Sequence, residues 1–404
     1  MALMPQNKKL VYLDYAAATP LHPLAKKAME PFLGEAYGNP SSLHQKGIEA
    51  KKALEAARAK IAQAVGVQSR EIIFTSGGTE SCNLAVLGIV QAYKKKNAVH
   101  AITTVIEHHA VLESFKRAEK EGSKVTYLPV SEQGLVDPMA VIKSVRPETV
   151  LVSVMYANNE IGSIQPIVQI AKLLWPLNIK RKAKGLPEIL LHTDACQAPG
   201  LLDVNPHKLG VDLMSFSASK FYGPKGSGFL YVKKGIKLSP IIFGGGQEKA
   251  LRSGTENLAG AAGMAEALAL ANNKREQEIK RLTQLRDFAV REILKIPDTR
   301  LNGPAGNLRL ANNINFSVKN AEGEALMLYL DASGICVSTA SACSTNSTER
   351  SHVIKSIKVA KEWSNGTIRI TLGKFTQKKD LIYALKVLKK NILLLRRVVR
   401  LKES

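Results

Sequence analysis

Apolar residues in the stretch 48–65 (IEAKKALEAARAKIAQAV) recur at three- and four-residue spacing opposite a charged face, which predicts a surface helix. Beyond it the period changes. Short apolar runs at 71–75, 101–105, 125–130, 150–155, 189–192, 213–217 and 228–232 read as strands, and helical patterns begin at Glu80 and cover about 110–121. Strands that alternate with helices predict an α/β fold with a mostly parallel sheet covered on both faces. After about residue 240 the alternation fades. A charged helical stretch spans 257–294, strand candidates sit near 312–318, 334–338 and 367–372, and 378–401 reads as one amphipathic helix. A chain of 404 residues is long for a single core. The expected division is a large domain over 16–260 and a smaller α+β domain formed by 1–15 and 261–404.

Composition narrows the class. Hydrophobic residues make up 45% and charged residues 23%, as in soluble globular enzymes. No apolar run has the length of a membrane span, and Met1 to Leu10 lacks the apolar core of a secretory signal, so a cytoplasmic protein without a membrane partner is expected. The four cysteines, Cys82, Cys196, Cys336 and Cys343, are too few and too scattered for a disulfide framework, and the absence of a Cys-x-x-Cys pair argues against structural zinc. The net charge of +23 has two readings: a surface for nucleic acid or acidic partners, or lysines on solvated helix faces. The charges are dispersed, with no zinc-finger or RNP-type motif beside them, so direct nucleic-acid binding is not expected. A non-catalytic basic nucleic-acid-binding protein remains the rival from another class.

The unusual residues fall just after predicted strands, where open parallel sheets place their ligands. Ser76-Gly77-Gly78-Thr79 is either a phosphate cup at a helix N-terminus or a plain strand-to-helix turn. Asp194, in His192-Thr193-Asp194-Ala195-Cys196-Gln197, is either a buried acid that pairs with a cationic ring nitrogen or a cap for the next turn. Lys220, in Ser217-Ala218-Ser219-Lys220-Phe221-Tyr222-Gly223 after an apolar strand, is either a lysine placed to form a Schiff base or a solvated loop lysine; Lys225, between Pro224 and Gly226, looks like a surface turn. Ser217 and Ser219 can add hydroxyls for a phosphate. Of the pair His108-His109, His108 is preferred for stacking on a ring or moving protons. Asn158-Asn159 supplies amides, or is an asparagine-rich turn. Cys343 sits in the small polar stretch 338–348 and is the candidate reactive thiol, whereas Cys336 has the apolar neighbours of a structural one, and Cys82 and Cys196 read as packed.

In order along the chain, SGGTES, EHHAV, NNEIG, HTDACQ, SFSASKFYGPKG, GGGQE, RSGTEN and SACS resemble the cysteine desulfurases of the NifS/IscS type, which belong to the class V aminotransferases. The resemblance runs from Tyr12 to about Phe375. It implies the type I fold of pyridoxal-phosphate-dependent transferases and a homodimer that takes sulfur from L-cysteine. By matching position, Lys220 would bind pyridoxal 5′-phosphate as a Schiff base, Asp194 would pair with the ring nitrogen, Gln197 would bond the ring hydroxyl, and His108 would stack and transfer protons. Gly78, Thr79 and Ser217 would hold the phosphate, with Thr255 reaching the phosphate of the partner subunit. Asn159 and Arg369 would bind the substrate carboxylate, and Cys343 would receive the sulfur for an acceptor such as an iron–sulfur scaffold or a carrier for tRNA thiolation. No resident metal is expected, although Cys343 is a candidate ligand for a cluster shared with a scaffold. A selenocysteine lyase or a small-amino-acid aminotransferase is the alternative on the same scaffold. Ser219 stands where the family pattern has a histidine, 345–351 differs in sequence from common members, and 180–188 looks like an insertion.

Overall fold

The computed structural model describes residues 10–94, 99–339 and 350–403. The chain opens with β1 (Val11–Tyr12), α1 (Pro23–Met29), α2 (Gln45–Val65), β2 (Ile72–Thr75), α3 (Gly78–Tyr93), β3 (His100–Thr104), α4 (His109–Lys120) and β4 (Lys124–Leu128). It continues with α5 (Pro138–Lys143), β5 (Thr149–Ser153), α6 (Ile167–Ala183), β6 (Leu190–Asp194), α7 (Pro206–Leu209), β7 (Leu213–Ser217), β8 (Gly228–Val232) and α8 (Leu258–Asn273). The last third holds α9 (Arg275–Leu294), β9 (Thr299–Leu301), β10 (Asn313–Val318), α10 (Gly323–Asp331), β11 (Ile335–Cys336) and β12 (Ser338–Thr339). It closes with α11 (His352–Ser356), α12 (Lys361–Ser364), β13 (Thr367–Thr371) and α13 (Lys378–Glu403).

Seven strands form the main sheet in the order β2-β8-β7-β6-β5-β3-β4. The run β7-β6-β5-β3-β4 is parallel, and β8 lies antiparallel to both β2 and β7. Alternate side chains leave this sheet on opposite faces. Val152, Leu191 and Met214 join Leu54 and Ile61 of α2, Ile170 of α6 and Leu268 of α8 in one core. Their neighbours Leu151, Leu190 and Leu213 join Leu84 and Ile89 of α3 and Phe115 of α4 on the other face. A sheet covered on both faces explains why its strands read as continuous apolar runs. A third cluster gathers Leu282 and Ile293 of α9, Ile314 and Phe316 of β10, Ile368 and Ile370 of β13, and Leu388 of α13. The smaller sheet there runs β12-β13-β10-β9, and β1 pairs parallel with β11, which returns the start of the chain to this region.

Two sequence expectations need correction. The helix expected over 257–294 is two helices, α8 and α9, which meet at Lys274. They serve different cores: the small residues of α8 let it press on α1, where a Cβ on Gly263 would come within 2.5 Å of Met29, while the apolar stripe of α9 faces the third cluster. One straight helix could not point at both. The strand expected over 334–338 is split into β11 and β12, which pair with different partners, β1 and β13.

The stretch 180–188 is pinned rather than loose. Arg181 is buried, and its guanidinium donates to four carbonyls: Nε to Pro187 (2.9 Å), Nη1 to Arg146 (2.9 Å), and Nη2 to Pro147 (2.9 Å) and Thr149 (2.8 Å). Asn178 exchanges two further bonds with the backbone of Ile189, each at 3.0 Å. Among the described residues no helix is long and apolar enough to cross a membrane.

The site-bearing end of β7 rests on Phe216, which is fully buried and stacks on Phe229 of β8 with ring centroids 4.2 Å apart. Phe216→Ala leaves a cavity between two central strands and is expected to cost about 3–5 kcal/mol, read as a lower denaturant midpoint in equilibrium unfolding.

Candidate active site

The carboxyl ends of four parallel strands lead to the candidate side chains. β3 leads to Glu107 and His108, β5 to Asn158–Glu160, β6 ends on Asp194, and β7 leads through Ser217 to Lys220. Beside them, β2 feeds the turn that starts α3. Gly77, the N-cap of α3, takes φ 149° and has no side-chain cap, so the first turn of this 16-residue helix keeps its N–H groups for another acceptor. Gly77 is required by this φ, and Gly78 and Gly228 by crowding. A Cβ on Gly78 would lie 2.5 Å from Cys196 Sγ and 3.3 Å from Ser217 Cβ, and one on Gly228 would strike the Gly77 backbone at 2.6 Å. Ser217 Oγ lies 3.2 Å from Ser219 Oγ at the same spot. Thr79 begins the second position of α3, and Thr255 is exposed on a cleft shared with Ser76 and Gly226.

Asp194 is buried and accepts the backbone N–H of Cys196 at 2.9 Å. Lys220 Nζ donates to the carbonyls of Ala16 (3.0 Å) and Ala17 (2.5 Å), and Gln197 Nε2 donates to the same Ala16 carbonyl at 3.0 Å. The N-terminal segment therefore runs directly against the lysine. His108 caps α4, with Nδ1 accepting the Ala110 N–H at 3.1 Å. Burial pushes its pKa down, against the pull of Asp194, so it is a neutral imidazole at pH 7. His109 turns away and packs on His352, ring centroids 4.8 Å apart. The two histidines thus separate, and the charges of Asp194 and Lys220 act on His108.

Arg369 is buried on β13, donating to Asp14 Oδ1 at 2.7 Å and to the Asn159 carbonyl at 3.1 Å; its Nε has no partner among the described residues. Asn158, by contrast, is structural: its side chain donates to the Ile106 carbonyl and accepts the N–H groups of Glu160 and Ile161. Cys343 lies outside the described residues. Cys82 is fully buried, and burial drives the thiols of both Cys82 and Cys196 well up, which keeps them protonated and poor nucleophiles. Cys336 is only half-buried, in β11 opposite Tyr12.

Two acids escaped the sequence reading. Glu107 is fully buried; its Oε1 accepts from Thr104 Oγ1 (2.7 Å) and Met155 N–H (2.9 Å), while Oε2 has no partner among the described residues. Desolvation pushes its pKa up to about 8, helped by the charge of Asp194. Glu160 is likewise buried, and its pKa is pushed up to about 7. The available signal was their place inside EHHAV and NNEIG, beside residues already singled out.

The sheet order, with a lysine after β7, an acid at the end of β6 and a glycine turn at the start of α3, defines the type I fold of pyridoxal-phosphate-dependent transferases. Residues 11–383 match the family described as aminotransferase class-V. A cysteine desulfurase IscS of Dictyoglomus turgidum is 52% identical over 398 residues, covering 98% of both chains, and one of Clostridium botulinum is 46% identical, covering 95% of this chain and 94% of its own. Among solved structures, a NifS-like protein at 37% identity superposes with a TM-score of 0.87 over 96% of this chain and 100% of its own. This chain belongs to the class V aminotransferase family and, within it, to the cysteine desulfurases of the NifS/IscS type.

The raised pKa of Glu107 makes a stability prediction. Its folded value lies above the unfolded one, so its contribution is complete below about pH 4 and is lost as pH rises through about 8. Glu107→Gln is therefore expected to match wild type near pH 4 and to be more stable at pH 9, by on the order of a few kcal/mol, in denaturant titrations at the two pH values.

Proposed function

We propose that this chain removes sulfur from L-cysteine, leaving L-alanine and a persulfide on Cys343, with pyridoxal 5′-phosphate as cofactor. The observation that carries the reading is the convergence of His108, Asp194 and Lys220 at the ends of β3, β6 and β7, beside a turn in which Gly78 leaves no room for a side chain. These residues fit the cofactor. The α3 N-terminus with Gly78, Thr79, Ser217 and Ser219 would hold its phosphate, Asp194 its ring nitrogen, Gln197 its ring hydroxyl, and Lys220 its aldehyde carbon. When bound, it supplies an electron sink for the negative charge left after proton loss from the substrate's α-carbon.

The chain's own groups do the rest. Arg369 and Asn159 orient the substrate carboxylate. His108, neutral through burial, is able to accept a proton in the site. The Cys343 thiolate attacks the substrate sulfur: the S–S bond forms as the substrate's Cβ–S bond breaks, and the electron pair left on Cβ takes a proton to give alanine. The persulfide then passes to an acceptor such as an iron–sulfur scaffold or a tRNA-thiolation carrier. Ser219 keeps a hydroxyl where the family has an imidazole, which preserves a phosphate donor and removes a ring.

A cytoplasmic homodimer completes the reading. Leu33, Tyr37, Leu43 and Phe243 are large apolar residues at least 70% exposed, and a groove of about 1070 Å³ runs between 40–58 and 246–256 beside Thr255. A second copy seated there would bring its Thr255 to the phosphate turn. The division into a large and a small domain is also part of the proposal. Its boundary belongs after α8 rather than at 260, because Leu258, Met264 and Leu268 sit in the core of the main sheet.

Cys343→Ala is expected to keep the cofactor's near-ultraviolet or visible band and its shift on adding cysteine, yet to lose sulfide and alanine formation by at least about a hundredfold. Lys220→Ala should lose the Schiff-base band itself. Full alanine production by Cys343→Ala would move the sulfur chemistry elsewhere, and retained transamination would favour the aminotransferase alternative. Absence of any band after reconstitution would remove the cofactor reading.

A further inference from the structure

Glu160 occupies an unusual position between two parts of the site. Its backbone is locked from both sides: Asn158 Oδ1 accepts its N–H at 2.9 Å, and its carbonyl accepts from Asn313 (3.0 Å) and Asn315 (3.1 Å) of β10. The side chain, buried, accepts the hydroxyl of Ser351 at 2.5 Å on Oε2. Ser351 is the N-cap of α11, and the same hydroxyl oxygen accepts the N–H groups of Val353 (3.1 Å) and Ile354 (3.3 Å). One residue before Glu160, the carbonyl of Asn159 receives Arg369. Arg369 is the charge that acts on Glu160, and the same guanidinium donates to Asp14.

We propose that Glu160 is a positioning residue that takes up a proton when a substrate carboxylate reaches Arg369, and so passes the charge state of the substrate site to Ser351 and the start of α11. The inference rests on the reading of Arg369 as the carboxylate-binding side chain. Its physical basis is the count of charges. Arg369 already has Asp14 in contact and Glu160 nearby, and a substrate carboxylate would be the third anion around one guanidinium. Asp14 keeps a bidentate-capable partner and some access to water, with 18% of its side chain exposed. Glu160 is dry, and burial holds its pKa near neutrality, so it is the acid that can shed its charge at little cost. A neutral carboxyl is a weaker acceptor than a carboxylate, so the Ser351 hydroxyl bond loosens and the cap on Val353 and Ile354 changes with it. Ser351 follows the Cys343 segment in the chain, so the message reaches the point where that segment rejoins α11.

The test uses L-alanine, the reaction product, as a non-sulfur carboxylate probe on the holoenzyme. Proton uptake is obtained from calorimetric titrations at pH 7 in buffers of different ionisation enthalpy. Wild type is expected to take up roughly half a proton per site more than Glu160→Gln, since a group near its midpoint is about half charged before binding. Hydrogen exchange of the Val353 and Ile354 amides is expected to rise with alanine in wild type, and this response should vanish in Glu160→Gln and in Ser351→Ala; the second variant stands in if the first fails to fold. Equal proton uptake in wild type and Glu160→Gln would overturn the proposal, as would unaltered exchange at both amides in wild type. Arg369→Lys separates the two levels: if alanine binds it as tightly as wild type, the carboxylate reading of Arg369 fails and the link falls with it, whereas weakened binding alongside unchanged Glu160 behaviour sinks the link alone.

Discussion

The ion pair between the buried Arg369 and the half-buried Asp14 is the interaction on which the rest of the site depends. Arg369 belongs to the smaller sheet, Asp14 to the N-terminal segment, and the Asn159 carbonyl that shares the guanidinium belongs to a loop of the main sheet. One side chain thus ties three parts of the chain together at the place where they meet. A partly buried pair of this kind adds little net stability, but removal of Asp14 would strand the buried Arg369. The same N-terminal segment carries Ala16, whose carbonyl receives both Lys220 and Gln197. Its position is set further by Tyr12, whose hydroxyl donates to the carbonyls of Asp14 (3.0 Å) and Ala18 (2.8 Å).

Around this tie the site is tuned mainly by dryness. Burial keeps His108 neutral, holds Glu107 and Glu160 near neutrality, and disarms Cys82 and Cys196. These effects make different use of one cause. A dry environment disfavours whichever form is charged, so acids and thiols keep their protons while imidazoles lose theirs. Asp194 sits among these groups, buried and accepting the backbone N–H of Cys196.

Much of this was legible in the sequence because parallel strands announce themselves as apolar runs, and their carboxyl ends are where polar residues become conspicuous. The seven strands of the main sheet, and the places of Asp194, Lys220 and the His108-His109 pair after them, follow from that pattern alone. The antiparallel run of β8 was not legible, since an apolar run carries no direction. The break at Lys274 was not legible either: the sequence there is helix-compatible, and only the divergence of two cores separates α8 from α9. Glu107 and Glu160 looked like ordinary loop acids because burial is a tertiary property. The importance of Asp14 and Ala16 depends on a contact more than 200 residues away in the chain for Lys220 and more than 350 for Arg369. The choice between His108 and His109 needed the second histidine's packing partner, His352, which no local pattern links to it.

The clamp of Arg181 on four carbonyls has a consequence for how this chain tolerates change in length. Because the guanidinium gathers the approaches to β5 and β6 at one point, extra residues between α6 and β6 are absorbed on the outer side of that knot. The register of β6, and with it the place of Asp194 at its end, is set inside it. The arrangement works like a strain relief on a cable: slack can accumulate at the surface while no tension reaches the terminal where the chemistry is wired.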